Sequence, residues 1–224
     1  MSVPATTAPR RLAALPAPAA RRLEPADLAW ALPLLLAAAA GHPALRYVCD
    51  GPAAPRRHRW LLAQLLAYTL RHGVAYSNAA GTSLVLWLGP ERAASAWRLH
   101  LGLLLLAPWR LGWAGSRRLR RLLRTQAWLR HQTLEAPHHL LLGVATHPAA
   151  RGRGEGRRLL AATLALRGAA GQPCYFSTQV PTQLAFYQGL GFALLGHCAV
   201  GLGPAGPLST WGLLFSPAVP SAAN

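Results

Sequence analysis

Lysine is absent from this chain of 224 residues, so its positive charge rests on 23 arginines set against six acids. That absence excludes a Walker phosphate loop, Gly-x-x-x-x-Gly-Lys-Ser/Thr, which needs its lysine at the phosphates. Acids are also scarce in the second half, where no Asp or Glu follows Glu155. A dinucleotide fingerprint, which pairs Gly-x-Gly-x-x-Gly with an acid about 20 residues on, is therefore not expected. The three cysteines, Cys49, Cys174 and Cys198, are too few and too far apart for an exported disulfide framework or a zinc site. The nine histidines form no His-Glu-x-x-His motif, and the adjacent His138 and His139 would point to opposite faces of a strand, so no metal is expected. Long apolar runs are missing too. The longest, Leu28 to Ala40, has 13 residues, short of the roughly 20 that cross a bilayer. No membrane partner is expected, and a soluble, cytoplasmic protein is.

What is abundant is Ala, Arg, Gly and Pro, a composition that biased coding produces without any nucleic-acid partner. The net charge of +17 speaks to association and solubility more than to fold, and nucleic acid is not the expected partner. Residues 1–20, rich in Ala and Pro and closed by Arg21-Arg22, make a poor signal peptide because Pro16 and Pro18 interrupt the apolar stretch. They read as a disordered tail, followed by one domain over 21–216 and a short tail over 217–224. A homodimer is left open.

Hydrophobic spacing and breakers place the elements. Acids and Pro25 open a helix over Leu28 to Ala40, stopped by Gly41-His42-Pro43; an amphipathic helix spans Arg56 to Arg71 and ends at Gly73. Val74 to Asn78 and Thr82 to Leu88 form a hairpin ending at Gly89-Pro90. Two helices are expected between Ala93 and Gln132, broken around Pro108 to Ser116, the second with a core stripe of Leu119, Leu122, Leu123, Gln126 and Leu129 inside a basic face. Trp60, Tyr68, Trp97 and Trp113 read as core, with an aromatic pocket as the alternative. A strand before the glycine loop, a helix over Gly156 to Leu166, a strand over Cys174 to Gln179, a helix over Thr182 to Gln188 and strands over Phe192 to Val200 and Leu208 to Phe215 complete an α/β chain with helices on both faces of its sheet.

Between the apolar run ending at Thr146 and the next helix lies Arg151-Gly152-Arg153-Gly154-Glu155-Gly156. Glycines at a strand-to-helix junction let backbone N–H groups converge on one point, and the helix start adds partial positive charge, so the loop suits a phosphate group.

The Arg-x-x-Gly-x-Gly loop, preceded by His147-Pro148, resembles that of the GCN5-related N-acetyltransferases (GNAT). Leu184-Ala-Phe-Tyr-Gln-Gly-Leu-Gly-Phe192 is similar to the family's later Phe-Tyr-x-x-Leu-Gly-Phe segment. Glu135-Ala-Pro-His138, Thr210-Trp211 and Trp87-Leu-Gly-Pro90 resemble features of the puromycin N-acetyltransferase-like branch. The resemblance covers residues 135–215 well and the earlier chain thinly. It implies a mixed, mostly antiparallel sheet of six to seven strands, splayed in the middle, and an acetyl-coenzyme A dependent transfer to an amine of a small molecule by direct attack.

On that resemblance, backbone N–H groups of Gly152, Arg153, Gly154, Glu155 and Gly156 contact the pyrophosphate, Arg151 supplies charge with Arg157 beside it, and strand backbone at Val144, Ala145 and Thr146 pairs with pantetheine. Tyr187 takes the general-acid position, protonating the departing thiolate. Glu135 is the leading base, with His138 or His139 behind it; Glu135 as a plain loop carboxylate is the alternative. Three positions depart from the pattern. Glu155 stands where the loop usually has an aliphatic residue, so its carboxylate should turn outward or pair with an arginine such as Arg158. Ser177 stands where the branch has a glutamate, and Gln183 where it has an asparagine. These departures and the +17 charge keep open a rival: an acyl-coenzyme A binding fold without catalysis, or a basic nucleic-acid-binding module.

Overall fold

The computed structural model describes residues 20–94, 97–134, 137–168 and 171–217, without the side chains of residues 94–104. Almost all of both expected tails, Glu135 and the Trp97 side chain lie outside the described residues.

Seven strands form one sheet: β1 (Arg21–Arg22), β2 (Val74–Ser77), β3 (Ser83–Leu88), β4 (His139–Thr146), β5 (Cys174–Thr178), β6 (Ala193–Gly203) and β7 (Gly206–Phe215), in the order β1-β2-β3-β4-β5-β7-β6. Neighbours are antiparallel except β4 and β5, which run parallel. The helices are α1 (Leu28–Ala38), α2 (Pro43–Val48), α3 (Ala54–His72), α4 (Pro90–Ala94), α5 (Trp97–Thr133), α6 (Glu155–Gly168) and α7 (Leu184–Gln188). The expected fold class is the observed one.

β3 is buried along its whole length, and its alternation decides the layers. Val85 and Trp87 face Leu159, Leu160 and Leu164 of α6 on one side; Leu84 and Leu86 face Leu32 and Leu35 of α1 and Leu62 and Leu66 of α3 on the other. α5 joins this second layer, packing Leu119 and Leu122 against Tyr47 and Val48 of α2.

Two short helices escaped the sequence reading, for one reason. Pro43 and Pro90 follow apparent stop signals, yet proline also suits a helix's first position because the missing N–H has no partner there anyway. His42 completes the start of α2 by accepting the Ala44 N–H at Nδ1 (3.3 Å). α3 ends at Gly73, where a Cβ would lie 2.2 Å from the Trp87 carbonyl oxygen, so no other residue fits. The break expected between Pro108 and Ser116 sits at Gly112, whose φ of 73° and ψ of 169° divide α5 into two helical halves.

β4 and β5 pair only through His139↔Cys174, Leu140↔Tyr175 and Leu141↔Phe176. Beyond them β4 stays with β3 as far as Thr146↔Ser83, and β5 with β7 as far as Thr178↔Trp211. Leu86 faces Gly143 and Trp87 faces Leu141, so Leu142 is an extra residue in β4, a bulge that bends the strand at the point where the two part. The sheet opens there into a slot.

Candidate active site

The slot is a cavity of about 330 Å³ between the parted strands. Leu142 to Ala145 form one wall and Phe176 to Gln179 the other, with Tyr187 set between them. The far side is aliphatic: Leu61, Leu62 and Leu65 of α3 and Leu119, Leu122 and Leu123 of α5.

The glycine loop follows β4 at the open end. Gly152 and Gly154 have φ of 79° and 72°, conformations that L side chains rarely adopt, so these glycines set the loop's path. Gly156 serves differently: a Cβ there would sit 2.5 Å from Thr146 Oγ1, so glycine lets the first turn of α6 press against β4. Residues 151–154 are exposed, leaving the loop open to a ligand. Arg151 donates to the Ala38 carbonyl at the end of α1 (2.8 Å), and Arg157 donates to the Gly189 carbonyl (2.8 Å), so both arginines brace the loop against its neighbours.

Glu155 does not pair with Arg158. Its Oε2 accepts from Asn78 Nδ2 at 3.1 Å and from the Thr82 hydroxyl in a short hydrogen bond, which turns the carboxylate into the β2–β3 hairpin. Asn78 is itself fixed by accepting the Thr82 and Ser83 N–H groups at Oδ1 (2.9 and 3.0 Å). The hairpin was legible in the sequence but this clamp was not, although an Asn opening a turn, as in Asn78-Ala-Ala-Gly81, signals such local bonding.

Tyr187 is 3% exposed and wedged among Phe176, Phe186 and Phe192, with ring centroids 4.4, 5.0 and 5.7 Å away. Burial pushes its hydroxyl well above the usual tyrosine range, so it stays protonated at any working pH. The turn before α7 is braced by Thr178, which donates to Gln183 Oε1 (3.1 Å) and accepts the Val180 N–H (3.1 Å). Gln179 donates to Thr210 Oγ1 (3.0 Å), tying the same turn to β7. Ser177 and Gln183 both line the slot.

Val144, Ala145 and Tyr187 thus line one slot, and the glycine loop adjoins it through Arg151, whose partner Ala38 is a lining residue. His138 and His139 do not join them; they line a separate cavity of about 820 Å³ at the opposite end of β4, with Glu91 and Arg167. His139 is held below the usual histidine range, by burial first and then by the Arg167 charge. Arg130 lines both cavities. Burial pushes the thiols of Cys49 and Cys174 up to about 11 and about 12, so neither supplies a thiolate nucleophile at neutral pH.

Similar folds are known. Residues 120–194 match the family model of the acetyltransferase (GNAT) domain. A histone acetyltransferase HPA2-related acetyltransferase from Corynebacterium glutamicum shares 22% identity, with 91% of this chain and 99% of that one covered and a TM-score of 0.60. The Drosophila melanogaster polyamine N-acetyltransferase, which forms N-acetylagmatine, shares 18% over 88% and 98% of the two chains, with a TM-score of 0.55. The ribosomal-protein-S18-alanine N-acetyltransferase of Escherichia coli shares 11% over 92% and 97%, with a TM-score of 0.52. Among curated protein sequences, none matches significantly. The chain therefore has the fold of these N-acetyltransferases, and its residues 120–194 match the GNAT domain model, which supports an acyltransferase.

Proposed function

We propose that the protein is an acetyl-coenzyme A dependent N-acetyltransferase that acts on a primary amine of an apolar small molecule. The observation that supports this reading is one slot lined by the β4 edge and Tyr187, adjoined by the phosphate-suited glycine loop through the Arg151 hydrogen bond to Ala38. Backbone N–H groups of residues 152–156 would hold the pyrophosphate. The β4 edge beyond Leu141, which β5 leaves, would pair with pantetheine.

The amine nitrogen attacks the thioester carbonyl carbon, the carbon–sulfur bond breaks, the thiolate takes the Tyr187 proton, and the proton that the nitrogen sheds returns through water to the Tyr187 phenolate. Transfer also requires the amine to be uncharged. The described slot residues include the guanidinium of Arg130 and no carboxylate, so an ammonium gains nothing by entering. With six aliphatic side chains of α3 and α5 on the far side, the slot favours an acceptor with an apolar body and an amine of low basicity. The acceptor class thus differs from agmatine, the amine whose acetylation the Drosophila protein catalyses. The puromycin-like motifs agree with such an acceptor but rest on sequence alone.

Two measurements test the proposal. Acetyl-coenzyme A at millimolar concentration should raise the melting temperature, and thiol release should be faster with arylamines or aminonucleosides than with agmatine or spermidine. No stabilisation by the cofactor would sink the enzyme reading. Faster turnover of the polyamines would sink only the acceptor class.

A further inference from the structure

The outward face of α5 is as apolar as its inward face at one end. Leu105, Leu106, Trp109 and Trp113 are 68%, 52%, 89% and 76% exposed, whereas Trp113 had been expected in the core. The inward face explains the reversal. Ala107, Leu111, Leu119 and Leu122 are buried against α2, and a Cβ on Gly115 would lie 3.1 Å from the Val48 carbonyl oxygen, so the helix is seated too closely to rotate. The opposite face must then point outward. Along it Arg110, Arg117, Arg120 and Arg124 are also exposed, and Trp128 is 54% exposed. From Trp113 onward these residues recur at three- and four-residue spacing, which keeps them on one stripe. From Trp113 to Trp128 the stripe runs roughly 22 Å at 1.5 Å per residue, and Leu105, Leu106 and Trp109 lie just across the Gly112 break from its apolar end.

Four large apolar side chains, all more than half exposed within nine residues, mark an interaction site. Two properties select the occupant. Tryptophan and leucine on an in-plane helix suit the boundary between lipid headgroups and acyl chains. The arginines on the same stripe, in a chain of net charge +17, are complementary to anionic headgroups and would repel their own copies across a symmetric dimer. We infer that α5 docks the protein on the surface of an anionic lipid bilayer, with Leu105, Leu106, Trp109 and Trp113 inserted and Arg110 and Arg117 at the headgroups. This revises the expectation of no membrane partner. It does so without a membrane crossing, since no helix among the described residues is long and apolar enough to span one.

The test is co-sedimentation of the full chain with vesicles of phosphatidylcholine alone or mixed with phosphatidylglycerol, with tryptophan emission recorded. Binding to the mixed vesicles, a blue shift and weakening by salt are expected. The Trp109→Ser/Trp113→Ser double variant should bind roughly tenfold more weakly, and Arg110→Gln or Arg117→Gln about fivefold more weakly each. Arg71→Gln, an exposed change of equal charge on α3, should have a smaller effect; an equal one would reduce the inference to net charge. All these positions are exposed, and an unchanged melting temperature verifies folding. Absence of vesicle binding overturns the inference. So does a Trp-dependent dimer seen by light scattering, or Trp-dependent oligonucleotide binding, in a protein that ignores vesicles.

Discussion

The two ends of β4 carry cavities of opposite character. At the far end, His139 shares a space of about 820 Å³ with Arg130, Arg167 and His72; at the near end, the slot of about 330 Å³ is mostly aliphatic. The larger cavity is not the better candidate site. Three helices, α3, α5 and α6, end around it, and each carries basic residues in its last turn: Arg71 and His72, Arg130 and His131, and Arg167. Cations there answer the partial negative charge of helix C-termini, so their clustering has a structural cause. The slot has no such cause. It exists because a bulge at Leu142 ends a parallel ladder after three pairs, which spends sheet hydrogen bonding to open a cleft.

The sharpest way to break this contrast is at the slot's mouth. Gly156→Val would drive a side chain into Thr146 and part α6 from β4, costing about 3 kcal/mol by overpacking and abolishing cofactor binding. Denaturant unfolding and a cofactor titration measure both; retained binding would mean that the loop does not need this close approach. Tyr187→Phe is next. It should lower kcat roughly 100-fold while leaving the KM for acetyl-coenzyme A near wild type, and unchanged turnover would remove Tyr187 as the acid.

At the far end, His139→Phe should leave turnover intact, because the ring stands outside the slot. Its effect is on pH dependence. The unfolded chain binds a proton near pH 6.5, but burial and Arg167 lower the folded pKa, so wild-type stability is full above that pH and falls as pH drops below it. His42, lowered by burial, acts in the same direction. Melting curves from pH 7.5 to 5 should fall less steeply for the variant, and an identical slope would show that His139 is not held neutral. The smallest effect concerns Glu155→Gln. Removing a charge beside the proposed pyrophosphate site should tighten acetyl-coenzyme A binding by about threefold, while weakening the Asn78 and Thr82 contacts costs on the order of 1 kcal/mol. Looser cofactor binding would show that the clamp, rather than the charge, shapes the loop.

The strands and long helices were legible because their signals are local: alternation in β3, the Gly73 stop, the break near Gly112. α2 and α4 were not, since Pro43 and Pro90 carry both a stop and a start meaning and only the tertiary setting selects one. Within the candidate site, the loop glycines were singled out by their place at a strand-to-helix junction, and Tyr187 by the resemblance of Leu184 to Phe192 to a family segment. The base candidates were not resolved in the same way. His138 and His139 sit three to seven residues from Leu142 to Ala145 of the slot wall, but strand length carries them to its other end.

The sequence by itself determined the phosphate-suited loop and the order of elements, because glycine conformations and hydrophobic periods act over a few residues. Only the tertiary structure decided where the Glu155 carboxylate points, which cavity holds the histidines and which face of α5 meets solvent. Each depends on contacts between segments distant in the chain, such as Glu155 with Asn78 and Gly115 with Val48. No local pattern encodes such pairings, since the partner that fixes each choice arrives only when the layers pack.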